Sequence, residues 1–140
     1  MSLSGPASNV NWLLSNFAHK TPGVDQAVAV SSDGLLIAMS TGLERSTSDT
    51  LAAIITGLRS LSQGASVELN RGPVTQVLVE MANAYLFVSS ISGGSTLGVV
   101  ANKFCDLGLV GYEITMLVER VGAQLTPTLI TELKMALAGV

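Results

Sequence analysis

One cysteine, one histidine and a charged fraction of only 12% are the scarcest features of this 140-residue chain. A single cysteine, Cys105, excludes an intrachain disulfide and fits a reducing compartment. It reads as a small buried hydrophobe. Metal centres need clustered His, Cys or carboxylates. One His and one Cys, far apart in sequence, make such a centre improbable, so neither a metal nor a cofactor is expected. A Ser-His-Asp triad would have to use His19, which reads as a surface residue, and no nucleophile-elbow motif is present. The 10 carboxylates are spread along the chain, and none pairs convincingly for acid–base work. The 7 basic residues are scattered too, with no stripe to meet a phosphate backbone, so nucleic acid is not an expected partner. No apolar run approaches the ~20 residues of a membrane span. The first residues have neither the basic nor the apolar region of a signal peptide. A soluble cytoplasmic protein is expected, near a membrane only through partners.

Apolar residues, by contrast, are plentiful. They make up 48% of the chain, and the mean hydropathy is +0.52. With so little polar cover, some apolar surface should face a partner. The most informative stretch is 46–64, read as a helix with Ser46 as N-cap, Asp49 in the first turn and Gly64 as stop. Leu51, Ile54, Leu58, Leu61 and Ala65 fall on one broad face, the expected core stripe. Ala53, Gly57, Ser60 and Gly64 form a second, narrower line, within about 60° of one another on the wheel. A line of small side chains either lies exposed without consequence or lets a second copy of the helix approach closely.

Around this helix the pattern predicts an α+β fold. Residues 1–7 read as frayed. Ser8 or Asn9 caps a helix to about Lys20, with Val10, Leu13, Leu14 and Phe17 inward and Trp12 on the opposite side. Residues 24–31 and 35–40 form a hairpin about the turn Ser32-Asp33-Gly34. Residues 67–70 read as a short extended piece before the break Arg71-Gly72-Pro73. Three strands follow, at 74–81, 85–91 and 96–101. The first of these has little charge and invites pairing with another chain as an edge strand. Asp106 caps a helix over 107–121, with Leu107, Val110, Ile114, Leu117, Val118 and Val121 as its core stripe. Leu109, Tyr112 and Met116 form a second apolar line. A last helix, capped by Thr126 with Pro127 at its first position, is expected to cover that second line, in its own chain or in a partner. The element order is α-β-β-α-β-β-β-α plus a C-terminal helix: one five-stranded antiparallel sheet with helices packed on it. The segment Ser92-Gly93-Gly94-Ser95-Thr96 lacks the Walker pattern and its lysine, so it reads as a hairpin turn.

Several segments together resemble the roadblock/dynein-light-chain family in its bacterial form. They are Trp12-Leu13-Leu14 to Phe17, Pro22-Gly23-Val24, and the run from Ala27 through Ser32-Asp33-Gly34 to Ala38. Leu51-Ala52-Ala53 with Leu58 and Leu61, Val77-Leu78-Val79-Glu80-Met81, Leu97-Gly98-Val99-Val100-Ala101 and Asp106-Leu107-Gly108 complete the match. It covers residues 9–122, leaving 1–8 as a flexible N-terminus and 123–140 as a C-terminal helical extension. The resemblance implies a homodimer in which the central helices pair across a two-fold axis and the following edge strand pairs with its copy. Ala53, Gly57, Ser60, Gly64, Val74, Gln76, Leu78 and Glu80 would then form the dimer interface. It also implies a small Ras-like GTPase as partner, with a sensor-kinase-like protein as a further one, and no catalytic residue in this chain. Trp12, Leu109, Tyr112 and Met116 are the candidate partner surface. The competing readings are a small-ligand sensor module, a scaffold without a GTPase, and an enzyme whose constellation the sequence does not reveal.

Overall fold

Ser4, rather than Ser8 or Asn9, opens the first helix. Its side chain accepts from the Ala7 N–H at 3.2 Å, and Pro6 occupies an early position where a missing N–H costs nothing. The computed structural model describes residues 3–139. Of the stretch expected to fray, Met1 and Ser2 lie outside these residues. Gly5–Ala7 are helical, and Ala7 is fully buried.

The elements are α1 (Gly5–Lys20), β1 (Val24–Val30), β2 (Leu36–Met39), α2 (Arg45–Leu69), β3 (Gln76–Glu80), β4 (Ala84–Ser90), β5 (Thr96–Asn102), α3 (Leu107–Gly122) and α4 (Pro127–Leu137). The strands form one antiparallel sheet in the order β2-β1-β5-β4-β3. The expected α+β architecture is the observed one. The β1–β2 turn uses Gly34 at φ +86, a conformation that side chains with a Cβ rarely adopt. Asp106 and Thr126 cap α3 and α4 as expected, accepting from Leu109 N–H and Leu129 N–H at 3.1 Å each.

Two apolar layers sandwich the sheet. On one side Ala27, Ala29, Phe87, Leu97 and Val99 meet α1 through Val10, Leu14 and Phe17, and α3 through Val110, Ile114 and Val121. On the other side Val28, Val30, Leu86 and Val88 meet α2 through Ala52 and Ile55. Gly98 on β5 makes this second contact close, because a Cβ there would stand 2.2 Å from Ile55 Cδ1.

Three features of α2 differ from the expectation. It starts at Arg45 with Glu44 as N-cap, so Ser46 lies inside the first turn. It runs through Gly64 to Leu69 and stops at Asn70, whose φ of 53° and ψ of 50° are left-handed. Residues 67–69, expected to be extended, are its last turn. One interior glycine costs a helix about 1 kcal/mol, too little to end it while further turns can form, whereas Asn tolerates the left-handed cap. Finally, its buried face is Ser48, Ala52 and Ile55. Ile54 and Leu61, assigned to the core stripe, are 50% and 78% exposed, and Ala65 is exposed as well. Small side chains face the sheet because the helix lies close to it.

The last helix also differs. Within the chain α4 does not cover Leu109, Tyr112 and Met116; it lies along β2. Leu129 and Leu133 join the α1 layer beside Ile37 and Ala38, while Leu137 reaches the α2 layer beside Leu36. The helix therefore wraps the β2 edge of the sheet from one face to the other. Lys134 pairs with Asp33 of the β1–β2 turn at 2.8 Å, Arg45 Nη1 donates to Leu137 O, and Ser4 N–H donates to Glu132 at 2.7 Å. On α3, Leu109 and Tyr112 stay exposed.

Candidate interaction surface

The outward side of α2 carries the expected small line, Ala53, Gly57, Ser60 and Gly64, all exposed. Beside it stand the uncovered Ile54 and Leu61, so large and small apolar residues share one face directed away from the sheet. A Cβ at Gly57 or Gly64 would meet nothing within 4 Å. Nothing among the described residues requires these glycines, and each weakens the helix by about 1 kcal/mol relative to alanine. Their position beside exposed Ile54 and Leu61 suits the close approach of a second helix backbone.

At the far edge, β3 pairs only with β4 among the described strands. Ser90 N–H donates to Thr75 O, and Met81 N–H donates to Ala84 O. The odd-numbered residues therefore bond to β4, and the alternation of an antiparallel ladder turns the N–H and C=O groups of Gln76, Leu78 and Glu80 outward. These are three of the edge residues expected at an interface. Val74 differs: it precedes the strand, and its N–H donates to Gln63 Oε1 at 3.1 Å while its carbonyl accepts from Ser90 Oγ. Glu80 also holds Lys103 at 2.7 Å, with the ammonium 4.5 Å from the Tyr85 ring centroid. This pairing raises the Lys103 pKa.

The second surface is looser. Trp12 is exposed on α1, and Leu109 and Tyr112 are exposed on α3. Met116 is half-buried and lines a crevice between α1 and α3 with Leu13 and Phe17, to which Trp12 does not contribute. The four residues are not brought together into one pocket. Sequence reasoning missed Phe104, which is 96% exposed in the β5–α3 connection. It also missed Ile54 and Leu61 as surface. Period alone shows that a helix has an apolar face, but not that a close helix–sheet approach puts smaller side chains inside.

Cys105 is half-buried, packed under Gly23, and burial followed by the neighbouring Asp106 raises its pKa. His19 is exposed. Among the described residues, no three His, Cys, Asp or Glu side chains are grouped to hold a metal. No described helix is long and apolar enough to cross a membrane.

A five-stranded antiparallel sheet, with one helix on one face, two on the other and, among the described residues, one edge unpaired, defines an α+β module. The Roadblock/LC7 domain profile matches residues 10–101. A Roadblock/LC7 domain structure from Streptomyces avermitilis is 38% identical, with a TM-score of 0.76 over 79% of this chain and 92% of that one. The chain belongs to the Roadblock/LC7 domain family. MglB of Myxococcus xanthus superposes with a TM-score of 0.77 over 83% of this chain and 94% of its own, at 17% identity. A structure of MglB with a tetrameric arrangement reaches 0.78 over 95% and 96%, also at 17% identity. These two show the shared fold. Among curated protein sequences none matches this chain significantly.

Proposed function

We propose that the protein is a non-catalytic homodimeric regulator or scaffold that binds a small Ras-like GTPase and biases its nucleotide cycle, acting as a GTPase-activating partner in bacterial signalling. The outward face of α2 carries the reading: Ile54 and Leu61 are uncovered beside two glycines that nothing among the described residues requires. Pairing of that face with its copy, continued by the outward ladder groups of Gln76, Leu78 and Glu80, would join two sheets into one. Trp12, Leu109, Tyr112 and Met116 then remain on the opposite side for a further partner, a sensor-kinase-like protein among them. The regulator would work in the cytoplasm and approach a membrane only through its partners. Its action on the GTPase would come from holding the switch loops in one arrangement.

The test is light scattering on the purified protein, alone and with a small Ras-like GTPase loaded with GDP or a GTP analogue. The expected result is a dimer that gains mass with one nucleotide state only. A monomer would overturn the dimer, and a dimer indifferent to both states would overturn the GTPase reading while leaving the dimer intact.

A further inference from the structure

A polar cleft of about 320 Å³ opens where the flank of α2 meets the β1–β2 and β4–β5 turns. Ser31, Ser32, Thr56, Arg59, Ser60, Gln63, Gly94 and Thr96 line it, and among the described residues Arg59 is its only charged one. Arg59 is half-buried and fixed from one side. Its Nη1 donates to Gly94 O, to Ser95 O at 3.3 Å and to Thr96 Oγ1 at 2.8 Å. Those bonds hold the planar guanidinium in place, and among the described residues its Nε and Nη2 make no hydrogen bond. A fixed guanidinium with free N–H groups is an oxyanion donor that loses little conformational freedom on binding.

The remaining lining supplies further donors. Ser32 Oγ and Ser60 Oγ make no hydrogen bond among the described residues, and Gln63 uses only its Oε1, leaving its amide N–H groups free. Ser31 and Thr56 are already committed, to Asp33 and Ala52 O respectively. Among the described residues no carboxylate lines the cleft. Asp33 lies on the same turn, but its charge is paired with Lys134. From these groups we infer that the cleft is a binding site for a phosphate group, free or carried as a monoester. Arg59 supplies the charge, and Ser32, Ser60 and Gln63 supply neutral donors. The site borders the helix face argued above, with which it shares Ser60, and takes nothing from the sheet edge; the Ser92–Thr96 turn contributes only Gly94 and Thr96 to it.

The experiment is an amide and arginine Nε NMR titration of the full chain with sodium phosphate, at ionic strength held constant with sodium chloride. Parallel titrations use a nucleoside monophosphate and sodium acetate. Saturable shifts at Ser32, Arg59, Ser60 and Gln63 are expected, with a dissociation constant on the order of 1 mM for a few charge-assisted bonds. Arg59→Gln should abolish them. Because Arg59 also anchors the β4–β5 turn, Ser32→Ala and Ser60→Ala serve as independent variants, each expected to weaken binding several-fold. Tighter binding of the monophosphate than of phosphate assigns a monoester ligand; equal binding assigns the free ion. Non-saturable shifts, acetate binding as tightly as phosphate, or unchanged affinity in both serine variants would overturn the site. Light scattering on the serine variants separates loss of binding from loss of assembly.

Discussion

A methyl group at position 98 would stand 2.2 Å from Ile55 Cδ1 and 3.2 Å from Val28 Cγ2. Ile55 is fully buried, so it can yield only by leaving a low-energy rotamer or lifting α2. Gly98→Ala should therefore destabilise the fold by about 1–3 kcal/mol, the usual range for overpacking. The denaturation midpoint should fall, and Ile55→Val added to it should recover part of the loss. Asp33 presents the electrostatic counterpart. Its pKa is lowered from 3.8 to about 2, first by the hydrogen bond with Lys134 and then by that with Ser31. Because folding depresses it, the ionised carboxylate supports the folded chain above pH 3.8, and that support is lost as pH falls through about 2. The Asp33 carboxyl 13C shift should titrate near the lower value, and move back toward the ordinary one in Lys134→Met.

Among the elements, α4 is most open to a direct test. Leu133 is 1% exposed and packs with the α1 layer. Leu133→Ala should cost about 2–5 kcal/mol, as truncation of a buried leucine does, and chemical denaturation would measure it. A near-neutral result would mean that α4 is only loosely seated. The same helix marks how far the sequence could be read. Its cap, start and apolar stripe followed from Thr126, Pro127 and the spacing of Leu129 and Leu133, because these are local signals. Its seat did not follow, since amphipathic spacing shows that a face must be buried but carries no address for the other side. The strands and the Ser32-Asp33-Gly34 turn were legible for the same local reasons. The inward face of α2 was not, because Ile55 seats on the sheet where position 98, far along the chain, lacks a Cβ. The exposed small line on α2 was legible because four small residues at helical spacing lie together wherever the rest of the helix turns.

On the scale of the whole molecule, the proposed interface on α2 can be tested without disturbing the fold. Gly57 faces open space, so Gly57→Leu should fold with unchanged circular dichroism and yet run as a monomer at micromolar concentration. A Gly57→Leu protein that stays dimeric would sink the close helix contact. Leu78→Pro tests the sheet edge in the same manner. The N–H it removes points away from β4, so the variant should keep its internal ladder while losing a strand-to-strand bond to its copy. Light scattering and thermal denaturation would separate the two effects. The two borders of the sheet are unlike: α4 is folded across β2, while β3 ends in open backbone groups. A strand that templates addition is a hazard when both borders are free, since each copy added exposes the next site and growth continues into a fibre. With one border covered, growth through the sheet would have a direction but no continuation. If two open borders paired as proposed, each copy would present only its helix-covered side, and polymerisation through the sheet would end at the first step.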